Sequence, residues 1–174
     1  MSAALGGDKL ATVTFDNGNT EDLTAGQGLS LYIEGAVTPL WIGDSIGFGV
    51  GGQLGLKFDS VDAKNASISF WRFPALLYLQ TLIPGSSRAA FLLRGGIETD
   101  LDPHISGDGL ASGGDLQFSS GLGKLAELGL WYRLQSSHTA ISLTLRLTSI
   151  HYAFQGADID GSNVGLVWSV LYAP

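Results

Sequence analysis

Nowhere in its 174 residues does this chain string together the roughly 20 apolar residues that a membrane-crossing helix requires. The longest uncharged apolar stretch, Phe73 to Gly85, is short and holds two prolines. A helical membrane protein is therefore excluded. Charge is also scarce: 14% of residues are charged, against about 25% in an ordinary soluble domain. That is too little to cover a soluble surface comfortably. Cysteine is absent, which fits an envelope protein without singling one out. Basic residues are outnumbered nine to sixteen, and the net charge of −7 argues against nucleic acid as a partner. The opening MSAALGGD has neither a basic start nor an apolar core, so it is not a signal peptide. The expectation is a single domain over residues 1–174, in mature form if exported.

What the chain has instead is alternation. Hydrophobic residues make up 45% of it and glycines number 25. In Thr139 to Phe154, the odd positions Ile141, Leu143, Leu145 and Leu147 are apolar while Ser142, Thr144, Arg146 and Thr148 between them are polar. A period of two marks a strand with one apolar and one polar side. The same pattern appears in Leu10–Phe15, Gly28–Val37, Ile46–Phe58, Ser67–Thr81, Arg88–Thr99, a segment ending near Leu134, and Val164–Tyr172. The phase slips near Trp71, which predicts a bulge there, and again near Ser149, which moves Tyr152 and Phe154 to the opposite parity. Eight strands result. An apolar chain without helices crosses a bilayer only as a closed barrel, because lipid offers no partner to unpaired backbone groups. The predicted fold is an all-β, eight-stranded antiparallel up-and-down transmembrane β-barrel.

A soluble ligand-binding barrel shows the same alternation turned inside out. Three features favour the membrane version. The polar set is crowded with glycine (Gly47, Gly49, Gly51, Gly55, Gly96, Gly123, Gly129), which suits a narrow interior and weakens an exposed strand. That set also carries both signs of charge: Lys57, Arg94, Arg133 and Arg146 against Glu34, Glu98 and Glu127, with Arg72 added if the bulge near Trp71 holds. Such charges pair inside a barrel, whereas on a lipid face each cation costs about 2–4 kcal/mol at the midplane. Lys124 has the apolar parity and belongs at a rim, where its stem reaches out. Finally, segments 16–27, 59–66, 99–115 and 155–163 are long and acidic, while 82–87 and 135–138 are short; the turn at 38–45 is longer than the rule for periplasmic turns prefers. Long outer loops and short periplasmic turns alternate this way.

The blocks GGDKLATVTFDNG, AGQG, KFDS, WRFPALLYL and DGSNVG, followed by a final aromatic strand, resemble a family of small proteobacterial outer-membrane β-barrel proteins of the broad porin-like group. The resemblance spans nearly the whole chain and implies an eight-stranded outer-membrane barrel with periplasmic termini. It implies no particular activity. Its implied partners are outer-membrane lipids, lipopolysaccharide and, during biogenesis, the barrel assembly machinery, with the chain a monomer. The tail Tyr172-Ala173-Pro174 departs from the terminal aromatic residue usual there.

Candidate chemistry is sparse. His104 and Ser106 have the His-x-Ser spacing of an outer-membrane lipid A deacylase, with Glu127 available to orient the histidine; the alternative is an ordinary polar loop. Asp158, Asp160 and Asn163 partly match a calcium loop without its twelfth-position acid. With the other acidic loops they could take a divalent cation bridging to lipopolysaccharide phosphates. The lumen charges read either as a solute path or as a plug, since eight strands leave room for side chains and little else. Trp41 and Trp168 fit interface belts, while Trp131 has the lumen parity and fits none. The first reading of function is a structural or interaction barrel, or one that takes up a small, even apolar, molecule. The second is a lipid-modifying enzyme, and the third a soluble lipocalin-like binder.

Overall fold

The computed structural model describes residues 1–15, 18–63, 66–107, 115–134 and 139–172. In chain order its strands are β1 (Ser2–Leu5), β2 (Lys9–Thr14), β3 (Thr20–Thr24), β4 (Gly28–Ile42), β5 (Ile46–Ala63), β6 (Ala66–Pro84), β7 (Ala89–Gly107), β8 (Leu116–Gln117), β9 (Ser119–Ser120), β10 (Gly123–Arg133), β11 (Thr139–Ser149), β12 (His151–Phe154), β13 (Ala157–Asp160) and β14 (Asn163–Tyr172). Eight of them close a circle of antiparallel pairs, β1–β4–β5–β6–β7–β10–β11–β14 and back to β1. The chain is an eight-stranded antiparallel β-barrel. β1 covers only four residues, so the pairing of β4 with β1 stops at Ser30 and that of β14 at Val167.

Alternation sets the faces. On β11, Leu143, Leu145 and Leu147 are 49%, 48% and 50% exposed, and Arg146 between them is 3% exposed. Lys124 faces outward at the start of β10. β4 and β5 are joined by Gly43–Ser45 and β6 and β7 by residues 85–88, both at one end. The turn expected over 38–45 is thus mostly strand, with a register shift between Val37 and Leu40. The short connection at 135–138 lies outside the described residues, as do positions 16–17, 64–65 and 108–114 of the segments expected as outer loops.

At the other end much of the described part of the long connections is strand. Leu10–Phe15 was expected as the first wall strand, but Ser2–Leu5 takes that place. β2 and β3 instead pair with each other as a hairpin above the barrel end. The period of LATVTF reports a strand with unlike faces and does not say which sheet it joins. Val13 and Leu23 turn into an apolar cluster with Val61, Phe70, Ile105 and Ile150. Phe70 meets Phe118 and Tyr152 edge-on, ring centres 5.7 and 5.9 Å apart. A second core therefore caps the lumen.

This core explains both apparent phase slips. On β6 the even positions from Ile68 to Gln80 stay buried, and beyond β11 so do Ile150 and Tyr152. The backbone keeps its phase, and what changes is the filling of the interior, polar below and apolar above. The bulge lies on β7 instead: Asp102 and Pro103 together face Arg72, and Asp102 has φ of 48°. Strand β7 also runs to Gly107 and β5 to Ala63. Asp100 and Asp59, expected in outer loops, lie on these strands; Asp100 is buried and Asp59 half-buried.

Candidate functional site

The lower lumen is filled by a repeated arrangement that begins with glycine. On β5, a Cβ at Gly55 would collide with the ring of Tyr32 and one at Gly51 with Tyr78, each glycine's direct cross-strand partner. A Cβ at Gly161, just past β13, would likewise collide with the ring of Tyr152, whose own cross-strand partner is Ile159. Upon each tyrosine lies an arginine: Arg146 is 4.9 Å from the Tyr32 ring centre, Arg94 4.5 Å from Tyr78, and Arg72 5.9 Å from Tyr152 and 4.9 Å from Phe70. The missing side chains make room for the rings, and the ring faces hold the guanidinium groups.

Carboxylates complete the arrangement. Glu34 accepts from the Tyr78 hydroxyl at 2.7 Å, from Arg94 at 2.5 Å and from Gln53 at 2.7 Å. Glu127 accepts from Arg94 at 3.2 Å and from Nε of Arg146 at 2.5 Å, and Arg146 also donates to Gln53 at 2.5 Å. Thr148 donates to Glu98 at 3.2 Å. Nearer the cap, Arg72 donates to Tyr152 at 2.7 Å and to the Gln27 carbonyl at 2.8 Å, and the Tyr152 hydroxyl donates to Asp100. Lys57 donates to the Gly26 carbonyl at 2.8 Å. Four basic side chains (Lys57, Arg72, Arg94, Arg146) thus face four acidic ones (Glu34, Glu98, Asp100, Glu127) inside the wall. The three arginines pair with Asp100, Glu34 and Glu127, which makes their burial tolerable, while Lys57 and Glu98 are held by the Gly26 carbonyl and the Thr148 hydroxyl.

The lumen is not filled along its whole length, as its narrowness had suggested. Toward the short-turn end the inward positions become small, with Gly47, Ala90, Ala140 and Ser142. A cavity of about 1020 Å³ opens there, floored by Glu34, Arg94, Gln53 and Gln80. Trp41 and Trp131 stand at its mouth with Arg133. Arg133 is exposed there rather than part of the buried network. Trp41 is not an outward belt residue either: the register shift in β4 pairs it with Gly47, over which its indole lies, 2.8 Å from where a Cβ would stand. Trp131 keeps the lumen parity of β10, in unbroken register, and lines the same cavity. The molecule is a cup, sealed toward the cap by the Arg72–Tyr152–Asp100 layer, open at the other end, and bordered there by the β4 and β14 segments that the short β1 leaves unpaired.

The remaining candidates are not brought together. Glu127 is in the lumen, opposite Arg94 on β7, while His104 lies ten residues further along that strand, roughly 33 Å at about 3.3 Å per residue. His104 and Ser106 share the outer face past the bulge. His104 instead contacts the Asp102 carbonyl at 2.8 Å and its carboxylate at 3.6 Å. Asp158 turns to His151 at 3.4 Å, Asp160 accepts from the Ser162 amide at 2.8 Å, and Asn163 donates to the Gly161 carbonyl at 3.2 Å. Among the described residues, no group of three or more His, Asp or Glu side chains could hold a metal ion. Asp100, Tyr78, Tyr152 and Gln53 belong to the lumen network and carried no separate signal; inward parity alone marks Tyr78 and Gln53.

Outside the barrel wall two cap carboxylates are held below the ordinary value of 3.8: Asp22 by the Thr12 hydroxyl and by Lys9, and Asp160 by the hydroxyl and amide of Ser162. No protein-family model matches the chain, and no curated protein is significantly similar to it.

Proposed function

We propose that this chain is a small outer-membrane barrel whose lumen is a one-ended cup for a small molecule, opening on the short-turn, periplasmic side. The observation that carries the reading is the inversion of its faces. Outward residues from Phe91 to Ile97 on β7, Ala126 to Tyr132 on β10, Ile141 to Leu147 on β11 and Val164 to Val170 on β14 are apolar or glycine. The eight residue steps from Ala89 to Ile97, at about 3.4 Å and a tilt of about 40°, rise roughly 21 Å, close to the band of about 25 Å expected of such barrels. A belt of that extent, wrapped around paired charge, far exceeds the exposed apolar patches of soluble monomers. A soluble binding barrel calls for the opposite arrangement. In this reading lipids cover the wall, and the acidic cap faces the lipopolysaccharide side.

Because the Arg72–Tyr152–Asp100 layer and the cap core close the lumen, the cup stores or presents a molecule rather than conducting ions. Heat-modifiable migration after refolding into phospholipid vesicles tests the membrane reading: a faster-running unheated band resistant to carbonate extraction supports it, and recovery of the folded chain in the aqueous fraction refutes it. Planar-bilayer recording tests the sealed end, with steady conductance as the contrary result.

A further inference from the structure

We propose that the open half of the lumen is a binding site for a neutral oligosaccharide. This deepens the cup reading and rests on the cavity of about 1020 Å³, at the upper end of the sizes that hold small molecules. Its walls present two kinds of surface. Trp41 and Trp131 stand inward at the mouth: Trp41 lays one face on Gly47 and is still 47% exposed, and the cross-strand neighbours of Trp131, Ala90 and Ser142, are small. Deeper in, Gln53 and Gln80 are anchored by bonds to Glu34 at 2.7 Å and to Thr38 at 2.9 Å. Arg94 and Glu34 neutralise each other across 2.5 Å.

A sugar ring matches that pairing of surfaces. It offers an apolar C–H face to an indole, and its hydroxyl edge both donates and accepts, as amides, a carboxylate and a guanidinium together require. A wholly apolar ligand would strip water from the hydrogen-bonding capacity that the floor groups keep beyond the bonds they make to one another, at a cost. An anion would meet the Glu34 carboxylate on a floor whose cation is already paired, and of the other basic groups on the lining, Arg133 is at the rim and the Met1 ammonium already donates to the Trp168 carbonyl. The neutral, polyhydroxylated class is the one that all the lining groups suit.

The test is fluorescence titration of folded protein in lipid nanodiscs. In a Trp71→Phe background the remaining indoles, Trp41, Trp131 and Trp168, all border the cavity. Maltotriose, cellotriose and chitotriose are added to about 10 mM, enough to fill even a millimolar site. A saturable change with at least one of them is expected, weakened about tenfold by Trp131→Ala or by Gln80→Leu, each variant first shown to be folded by its gel migration. Flat titrations with all three sugars overturn the proposal, as does a response that neither variant alters. Failure of the membrane reading shows separately, as a chain that does not enter nanodiscs; the same titrations are then run on the aqueous protein.

Discussion

Arg94 lies 4.5 Å from the centre of the Tyr78 ring, and that ring occupies the space over Gly51, its partner across the β5–β6 pair. Charge, ring and glycine are therefore one unit. Adding a methyl at Gly51 must lift Tyr78 and disturb its bond to Glu34 and its contact with Arg94. Gly51→Ala should destabilise the folded barrel by about 1–3 kcal/mol, as overpacking does. Gly95 faces outward with nothing within 4 Å of an added Cβ, so Gly95→Ala should stay within about 0.5 kcal/mol. Urea unfolding in vesicles compares them; equal losses would show that the lumen glycines are not seats for the rings.

Glu127 accepts from both Arg94 and Arg146. Glu127→Gln keeps the shape and removes the charge that both guanidinium groups share, leaving Arg146 with Gln53 as its other partner. The expected loss is about 3–5 kcal/mol, that of breaking a buried pair. Glu127→Leu combined with Arg146→Met should recover much of it, because Arg94 retains Glu34 and a buried pair exchanged for apolar groups costs little. A double variant no more stable than Glu127→Gln in the same urea titration would contradict this.

The barrel was legible in the sequence because each wall strand separates two unlike environments, and period-two alternation reports that difference directly. Leu143 and Arg146 are placed correctly by parity alone. The cap was not legible, for a related reason. When the interior changes from polar to apolar, residues such as Phe70 and Tyr152 keep their inward direction but change their chemistry, which imitates a slipped strand. Asp100 was lost in the same way, since an acid near Gly and Pro reads as loop. The cup's mouth was missed because the shift at Val37–Leu40 turns Trp41 inward, and no pattern in 38–45 announces it.

Leu145 faces outward at 48% exposure, midway along β11. If lipid covers it, Leu145→Arg should cost about 2–4 kcal/mol. Lys124→Leu, at the band's edge, should leave stability nearly unchanged. Chemical unfolding in vesicles reads both variants. A harmless Leu145→Arg would mean that the outward leucines do not meet hydrocarbon.

Asp160 joins the cap's two halves: its amide donates to the Asp8 carboxylate at 2.9 Å, its carbonyl accepts from the Asp8 amide at 2.6 Å, and its carboxylate accepts from the Ser162 amide at 2.8 Å. The last bond and the Ser162 hydroxyl hold its pKa below 3.8. A carboxylate whose folded pKa is depressed contributes stability that is fully present above its unfolded value and is lost as pH falls through the folded value. The cap should therefore be intact at neutral pH and loosen only below pH 3.8, with Asp22, held down by Thr12 and Lys9, following the same direction. The Ser162 amide shift in NMR should titrate with a midpoint under 3.8 and lose that step in Asp160→Asn. A midpoint above the ordinary value would mean that the carboxylate is not held by Ser162, and that the hydrogen bonds between β13 and Asp8 alone keep the hairpin over the lumen.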